Sequence, residues 1–121
     1  MYLWRLNRAK PGNDMNEDDV SKLLIEITRR IREVSDPEQI ILFGSRARGD
    51  FGPDSDLDLL VIKDGVDSTR AEAARIYQAL REIRVPVDIV VVSAAYVRRY
   101  GELVGTIVRP ALREGKVLYA R

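Results

Sequence analysis

The sequence contains no cysteine and no histidine. Without cysteine there is no disulfide framework and no thiolate nucleophile. Without histidine there is no imidazole base, and with both missing no Cys/His zinc site can form. Any metal must therefore be held by oxygen, which favours Mg²⁺, Mn²⁺ or Ca²⁺. Long apolar runs are also lacking: none approaches the ~18 residues of a membrane span. The opening MYLWRLNRAKPGND has no extended apolar core of the kind a secretory signal carries. These absences suggest a cytoplasmic protein with no membrane association. A charge excess is missing too. With 20 basic and 19 acidic residues the net charge is +1, which argues against a polybasic anchor and makes a nucleic-acid partner unlikely.

What is present is an ordinary globular composition, 45% hydrophobic and 32% charged over 121 residues. That length predicts one domain with one real core. Residues 1–15 hold the only Trp and a Pro-Gly turn signal without clear periodicity, and read as a flexible N-terminal extension; the alternative is an extra strand or arm made by Tyr2–Leu6. The domain proper is expected over 16–121. Asn16 is placed to cap a helix whose face is Val20, Leu23, Leu24, Ile27, Ile31 and Val34. It stops near Ser35-Asp36-Pro37. Ile40–Phe43 and Leu57–Ile62 read as buried strands. Thr69-x-x-Glu72 resembles a capping box before a helix faced by Ala73, Ile76, Leu80 and Ile83. Pro86–Val92 is a third strand, and Ser93 caps a short helix ending at Gly101. Leu103–Arg113 is helical in pattern but broken at Pro110, with a fresh turn starting there. Gly115 stops that turn, and Lys116–Ala120 is a candidate edge strand. Val104, Ile107 and Val108 are read as core rather than interface. The order predicts an α/β (α+β) fold, a small mixed sheet of three to four strands flanked by helices.

The stretch ILFGSRARGDFGPDSDLDLLVI, residues 41–62, carries the chemistry. Gly44-x-x-x-x-Gly49 imitates the start of a P-loop, but Asp50 and Phe51 stand where Lys and Ser/Thr are needed. Asp54-x-Asp56-x-Asp58 imitates a calcium loop, but Leu59 and Gly65 occupy the positions that need Gly and Glu. On a strand, Asp56 and Asp58 point to one face with α-carbons about 6.6 Å apart. Two carboxylates so spaced can embrace a divalent ion, and two-metal sites clamp the attacking and leaving oxygens of a phosphoryl displacement. Alternatively the acids merely solvate the mouth of a strand. Asp88, inside VPVDIVVV, is a third acid in an apolar strand and needs a partner, a metal or a place beside water. If its strand neighbours Leu57–Ile62 it completes a triad and can take a proton from an attacking hydroxyl. The competing reading is an ion pair with an arginine such as Arg84. Gly44 permits close approach of the backbone to an anion, and Ser45 adds a hydroxyl for a terminal phosphate. Arg46 and Arg48 offer further positive charge.

Gly44-Ser45, ten residues, then Asp56-x-Asp58, with Asp88 following in VDIVVV, resembles the signature of the DNA polymerase β-like nucleotidyltransferase superfamily. The wider pattern FGSRARGDFGPDSDLDLLV resembles its minimal nucleotidyltransferase (MNT) branch, over roughly Asn16 to Tyr119. The resemblance implies Mg²⁺, with two ions expected, held by Asp56 and Asp58, with Asp88 as third ligand or base. It implies that Gly44, Ser45 and Arg46 bind ATP or another nucleoside triphosphate. The acceptor hydroxyl then attacks the α-phosphate and pyrophosphate leaves. Larger members carry a second domain for the acceptor, for which this chain has no room. MNT proteins are typically paired with a small HEPN-domain toxin, so the resemblance implies a hetero-oligomeric antitoxin that transfers AMP to a tyrosine of that partner. The alternatives are an antitoxin that neutralises by contact alone, or nucleotidyl transfer to a small molecule or RNA.

Overall fold

A computed structural model describes residues 2–6, 17–44, 47, 56–83 and 85–121, with the backbone only at 2–6 and Glu17. The elements run β1 (Tyr2–Leu6), α1 (Glu17–Ser35), β2 (Gln39–Phe43), β3 (Leu57–Ile62), α2 (Thr69–Ala79), β4 (Val87–Val92), α3 (Ala94–Tyr100), α4 (Val108–Glu114) and β5 (Lys116–Ala120). The strands form one mixed sheet in the order β1-β4-β3-β2-β5. Only β3 and β4 are parallel; the other neighbours are antiparallel.

The sheet has five strands where three to four were expected. The difference is β1. Tyr2–Leu6 is not an unpaired extension: it is hydrogen-bonded along β4, from Tyr2 opposite Val91 to Leu6 opposite Val87. A strand on that edge gives β4 partners on both sides, which suits an all but continuous apolar run. Residues 7–16, including the expected cap Asn16, lie outside the described residues.

Alternation along the strands sends side chains to two clusters. Leu57, Leu59, Val61, Val87, Ile89 and Val91 join Ile27 and Ile31 of α1 and Ala73 and Ile76 of α2. Ile41, Phe43, Leu60, Ile62, Val90 and Val92 join Val108 and Ala111 of α4, with Tyr96 and Val97 of α3 packed against them. The sheet is thus covered on both faces. Most strand residues are almost wholly shielded from water, each contributing roughly 1.5–3 kcal/mol of transfer free energy.

Three local details refine the sequence reading. Helix α2 is capped by Ser68, whose hydroxyl oxygen accepts from Ala71 N–H at 3.1 Å, and not by Thr69. Glu72 is consequently free for other work: it is buried, accepts from the Ser35 hydroxyl and pairs with Arg75 at 2.9 Å. Helix α1 ends because Asp36 takes a left-handed conformation at φ 51°, its N–H donating to Arg32 O at 3.2 Å, just before Pro37. Around Pro110 the helix resumes two residues earlier than expected, at Val108, leaving Pro110 in the first turn where its missing N–H is harmless. Val108 is fully buried and Ile107 half-buried as core residues, but Val104 is 76% exposed.

Candidate active site

Asp58 and Asp88 are each the second residue of a strand, and β3 and β4 run parallel with Leu57 opposite Val87. That register sets Asp58 directly beside Asp88. Neighbouring strands lie about 4.8 Å apart, so the two α-carbons are well within reach of a shared ligand. On the other side Asp58 is opposite Phe43, the last residue of β2. Phe43, Asp58 and Asp88 therefore form one row across the sheet, and Arg5 of β1 occupies the register position beyond Asp88. The next row inward on the same face is Ile41, Leu60 and Val90, all in the core beneath α4. The row of acids is where that face runs out of apolar cover: Asp58 and Asp88 are partly exposed while Leu57 and Val87, on the opposite face, are fully buried.

Gly44 follows Phe43 and turns the chain with φ +77°. It crowds Asp58: a Cβ built there would lie 2.2 Å from Asp58 Oδ2. Glycine is needed twice, for the left-handed backbone and for the space the carboxylate occupies. Asp56 lies just before β3, two residues from Asp58, and is also partly exposed. Leu57 N–H donates to Pro86 O at 3.0 Å, which fixes the strand mouth between Asp56 and β4. Ser45, Arg46, Arg48 and Arg84 lie outside the described residues.

The donor set is all oxygen, as a hard divalent cation requires. Its arrangement is a pair in register, Asp58 with Asp88, and a third acid two residues upstream of the first. Among the described residues no three acidic side chains converge closely enough to enclose one ion as they stand. Like charges held side by side repel, so such a row is favoured by a cation between its members. Chemically, a carboxylate pair beside a glycine turn open to backbone approach can take up a cation, accept a proton, and receive an anionic ligand next to the glycine.

No helix among the described residues is long and apolar enough to cross a membrane. No curated protein matches the chain significantly in sequence. Among solved structures, it is similar to a candidate nucleotidyltransferase from Sulfolobus solfataricus, with 24% identity, a TM-score of 0.54, and coverage of 91% of this chain and 94% of that one. It is also similar to a toxin–antitoxin structure with AMP-PNP, with 22% identity, a TM-score of 0.51, and coverage of 81% of this chain and 73% of that one. At these identities the likeness is one of fold. The model of the nucleotidyltransferase domain family matches residues 22–113, a span that includes Gly44 and all three aspartates, and the chain belongs to that family of nucleotidyltransferases.

Proposed function

We propose that this protein transfers AMP from ATP to a hydroxyl of a partner protein, a tyrosine of a HEPN-domain toxin, and so acts as an antitoxin. The observation that carries the reading is the in-register pair Asp58 and Asp88 beside Gly44. Membership of the nucleotidyltransferase family supports the reaction type. The similar toxin–antitoxin structure that holds AMP-PNP supports the setting and the nucleotide.

In this reading Asp56 and Asp58, with Asp88, hold Mg²⁺. When bound, the metal offsets negative charge on the phosphates. Gly44, Ser45 and Arg46 receive the triphosphate, the glycine by letting backbone N–H groups approach its oxygens. The acceptor oxygen forms a bond to the α-phosphorus while the bond from that phosphorus to the bridging oxygen of pyrophosphate breaks. The proton of the acceptor hydroxyl passes to the Asp88 carboxylate, which sits in register with the metal-holding Asp58. In this reading the partner presents the acceptor hydroxyl to the site.

The test uses ATP labelled at its α-phosphate, with Mg²⁺, with and without the product of the adjoining gene. Label on that product, absent with Asp56→Ala/Asp58→Ala, is the expected result. If the double variant still neutralises the partner in cells, contact is sufficient and the catalytic account of antitoxicity fails.

A further inference from the structure

Most arginines of this fold that carry a resolved interaction meet a carboxylate: Arg29 and Arg30 meet Glu26, Arg75 meets Glu72, Arg113 meets Glu102 and Arg121 meets Asp36. Arg109 does not. Its Nε is buried and has no hydrogen-bond partner among the described residues. The residue as a whole is only partly exposed. Its backbone N–H is satisfied by Thr106 Oγ1 at 3.4 Å, so what is left over is the side chain alone. A buried donor on a permanently charged group forfeits its hydration without return. Such a group in a native fold calls for an acceptor that the described residues do not supply.

Its place in the fold says which ligand. Arg109 lies on α4 between Val108 and Ala111, both fully buried in the cluster that contains Phe43, Leu60 and Val90. Phe43 is in the row of Asp58 and Asp88, and Leu60 and Val90 are two residues along from those acids on the same face. Helix α4 is therefore the cover of the acid-bearing face, packed chiefly on β2, whose last residue leads into Gly44. The paired acids of that row, Asp58 and Asp88, would repel a polyphosphate. A guanidinium with an unused Nε donor on the adjoining cover is what a phosphate oxygen needs.

Resting on the proposed nucleotidyl-transfer reading, we infer that Arg109 is a phosphate-binding residue of the site, donating from its guanidinium to the polyphosphate of the nucleotide. It is the positive counterpart on α4 of the Gly44 turn on the sheet. Its role is to position the nucleotide.

The test measures binding of ATP and of inorganic pyrophosphate, each with Mg²⁺, to the full chain and to Arg109→Met and Arg109→Lys. Methionine keeps an unbranched stem and removes the charge; lysine keeps the charge and removes the forked donors. The expected result is roughly a 10- to 100-fold loss of affinity for both probes in the Met variant, as for removal of a charge-assisted hydrogen bond, and an intermediate loss in the Lys variant. The melting temperature without ligand should hold or rise, because an unsatisfied buried donor has been removed. Equal affinities in all three proteins overturn the inference while leaving the transfer reading intact. A fall in melting temperature with affinity unchanged in the variant that stays folded assigns Arg109 a structural role and also overturns it. If the unaltered protein binds neither probe, the transfer reading itself fails, and this inference with it.

Discussion

At the end of the sheet where β2 begins and β3, β4 and β5 finish, Asp36, Glu38, Lys63, Asp64 and Arg121 are each answered by an opposite charge or a dipole. Arg121 meets Asp36 at 2.7 Å and Glu38 at 3.7 Å, and Lys63 donates to Asp36 O at 3.1 Å. Glu38 accepts from Asp64 N–H at 2.8 Å, and Asp64 in turn accepts from Ala94 N–H at 2.8 Å, at the start of α3. Close by, buried Glu72 ties Ser35 of α1 to Arg75 of α2. At the other end the register brings carboxylate beside carboxylate, Asp58 next to Asp88, with Gly44 pressed on the first. The same residue types serve opposite ends differently. One end spends its charges on joining α1, the β3–α2 connection and the C-terminus. The other sets two carboxylates side by side in register.

The comparison breaks most sharply if a single acid at the second end is neutralised. Asp58→Asn should lower AMP transfer roughly 10³-fold, the scale of losing a group that acts on the reacting charges. The melting temperature should stay level or rise, since a like-charge neighbour of Asp88 has gone. Radiolabel transfer and calorimetry on the same preparation check both halves. A large stability loss with transfer retained would make the acids structural.

Gly44→Ala should come next. The new methyl would meet Asp58 Oδ2 at 2.2 Å, and φ +77° adds strain to any L side chain. We expect roughly a 10- to 100-fold fall in transfer from the displaced carboxylate, a misplacement effect. We also expect about 1–2 kcal/mol of destabilisation. Gly65→Ala separates the two causes. Gly65 has φ +74° but nothing within 4 Å of its would-be Cβ, so it carries the strain without the collision and should leave transfer unchanged.

The tied end should answer in the reverse way. Glu72→Ala leaves the buried Ser35 hydroxyl without its acceptor and removes the ion pair with Arg75, which keeps its bond to Val34 O. The expected cost is about 1–3 kcal/mol of stability, read as a drop in denaturation midpoint with unchanged slope. Transfer by the folded fraction should stay within roughly twofold, because distant sites act almost independently.

How much of this could be read in the chain depends on whether the signal is local. Strands β2 to β5 are short apolar or β-branched runs between turn residues, and their bounds were legible to within a residue. The face of α1 was equally legible, since Val20, Ile27 and Ile31 repeat at helical spacing and are buried. Strand β1 was legible only as the alternative to a loose extension, because YLWRL gains its structure from the edge of β4, a partner eighty residues away. The cap of α2 was misplaced by one residue because Ser68 and Thr69 are both competent, and only the backbone turn decides between them. Asp56, Asp58 and Asp88 were readable as acids out of place in apolar runs, but the adjacency of Asp58 and Asp88 was conditional on β3 and β4 being parallel neighbours in that register. The empty donor of Arg109 has no sequence signal at all: many arginines look the same until burial and partners are known.

The smallest expected effect sharpens the comparison through pH. Hydrogen bonding to Arg121, then its charge, holds the Asp36 carboxyl below its usual range, and hydrogen bonds from Arg29 and then Arg30 hold Glu26 down to about 2. Both groups have a folded pKa depressed below the unfolded one. Their stabilisation is therefore fully present above the unfolded values, 3.8 for Asp36 and 4.5 for Glu26, and is lost as pH falls through the folded values. Both pairs are exposed, so salt screens them and the effect is modest. Arg121→Gln should shrink the loss of melting temperature between pH 5 and pH 3 for the part due to Asp36, and leave the Glu26 part on α1 unchanged. The same substitution should not alter nucleotide affinity at neutral pH. If it does, the two ends of the sheet are energetically coupled.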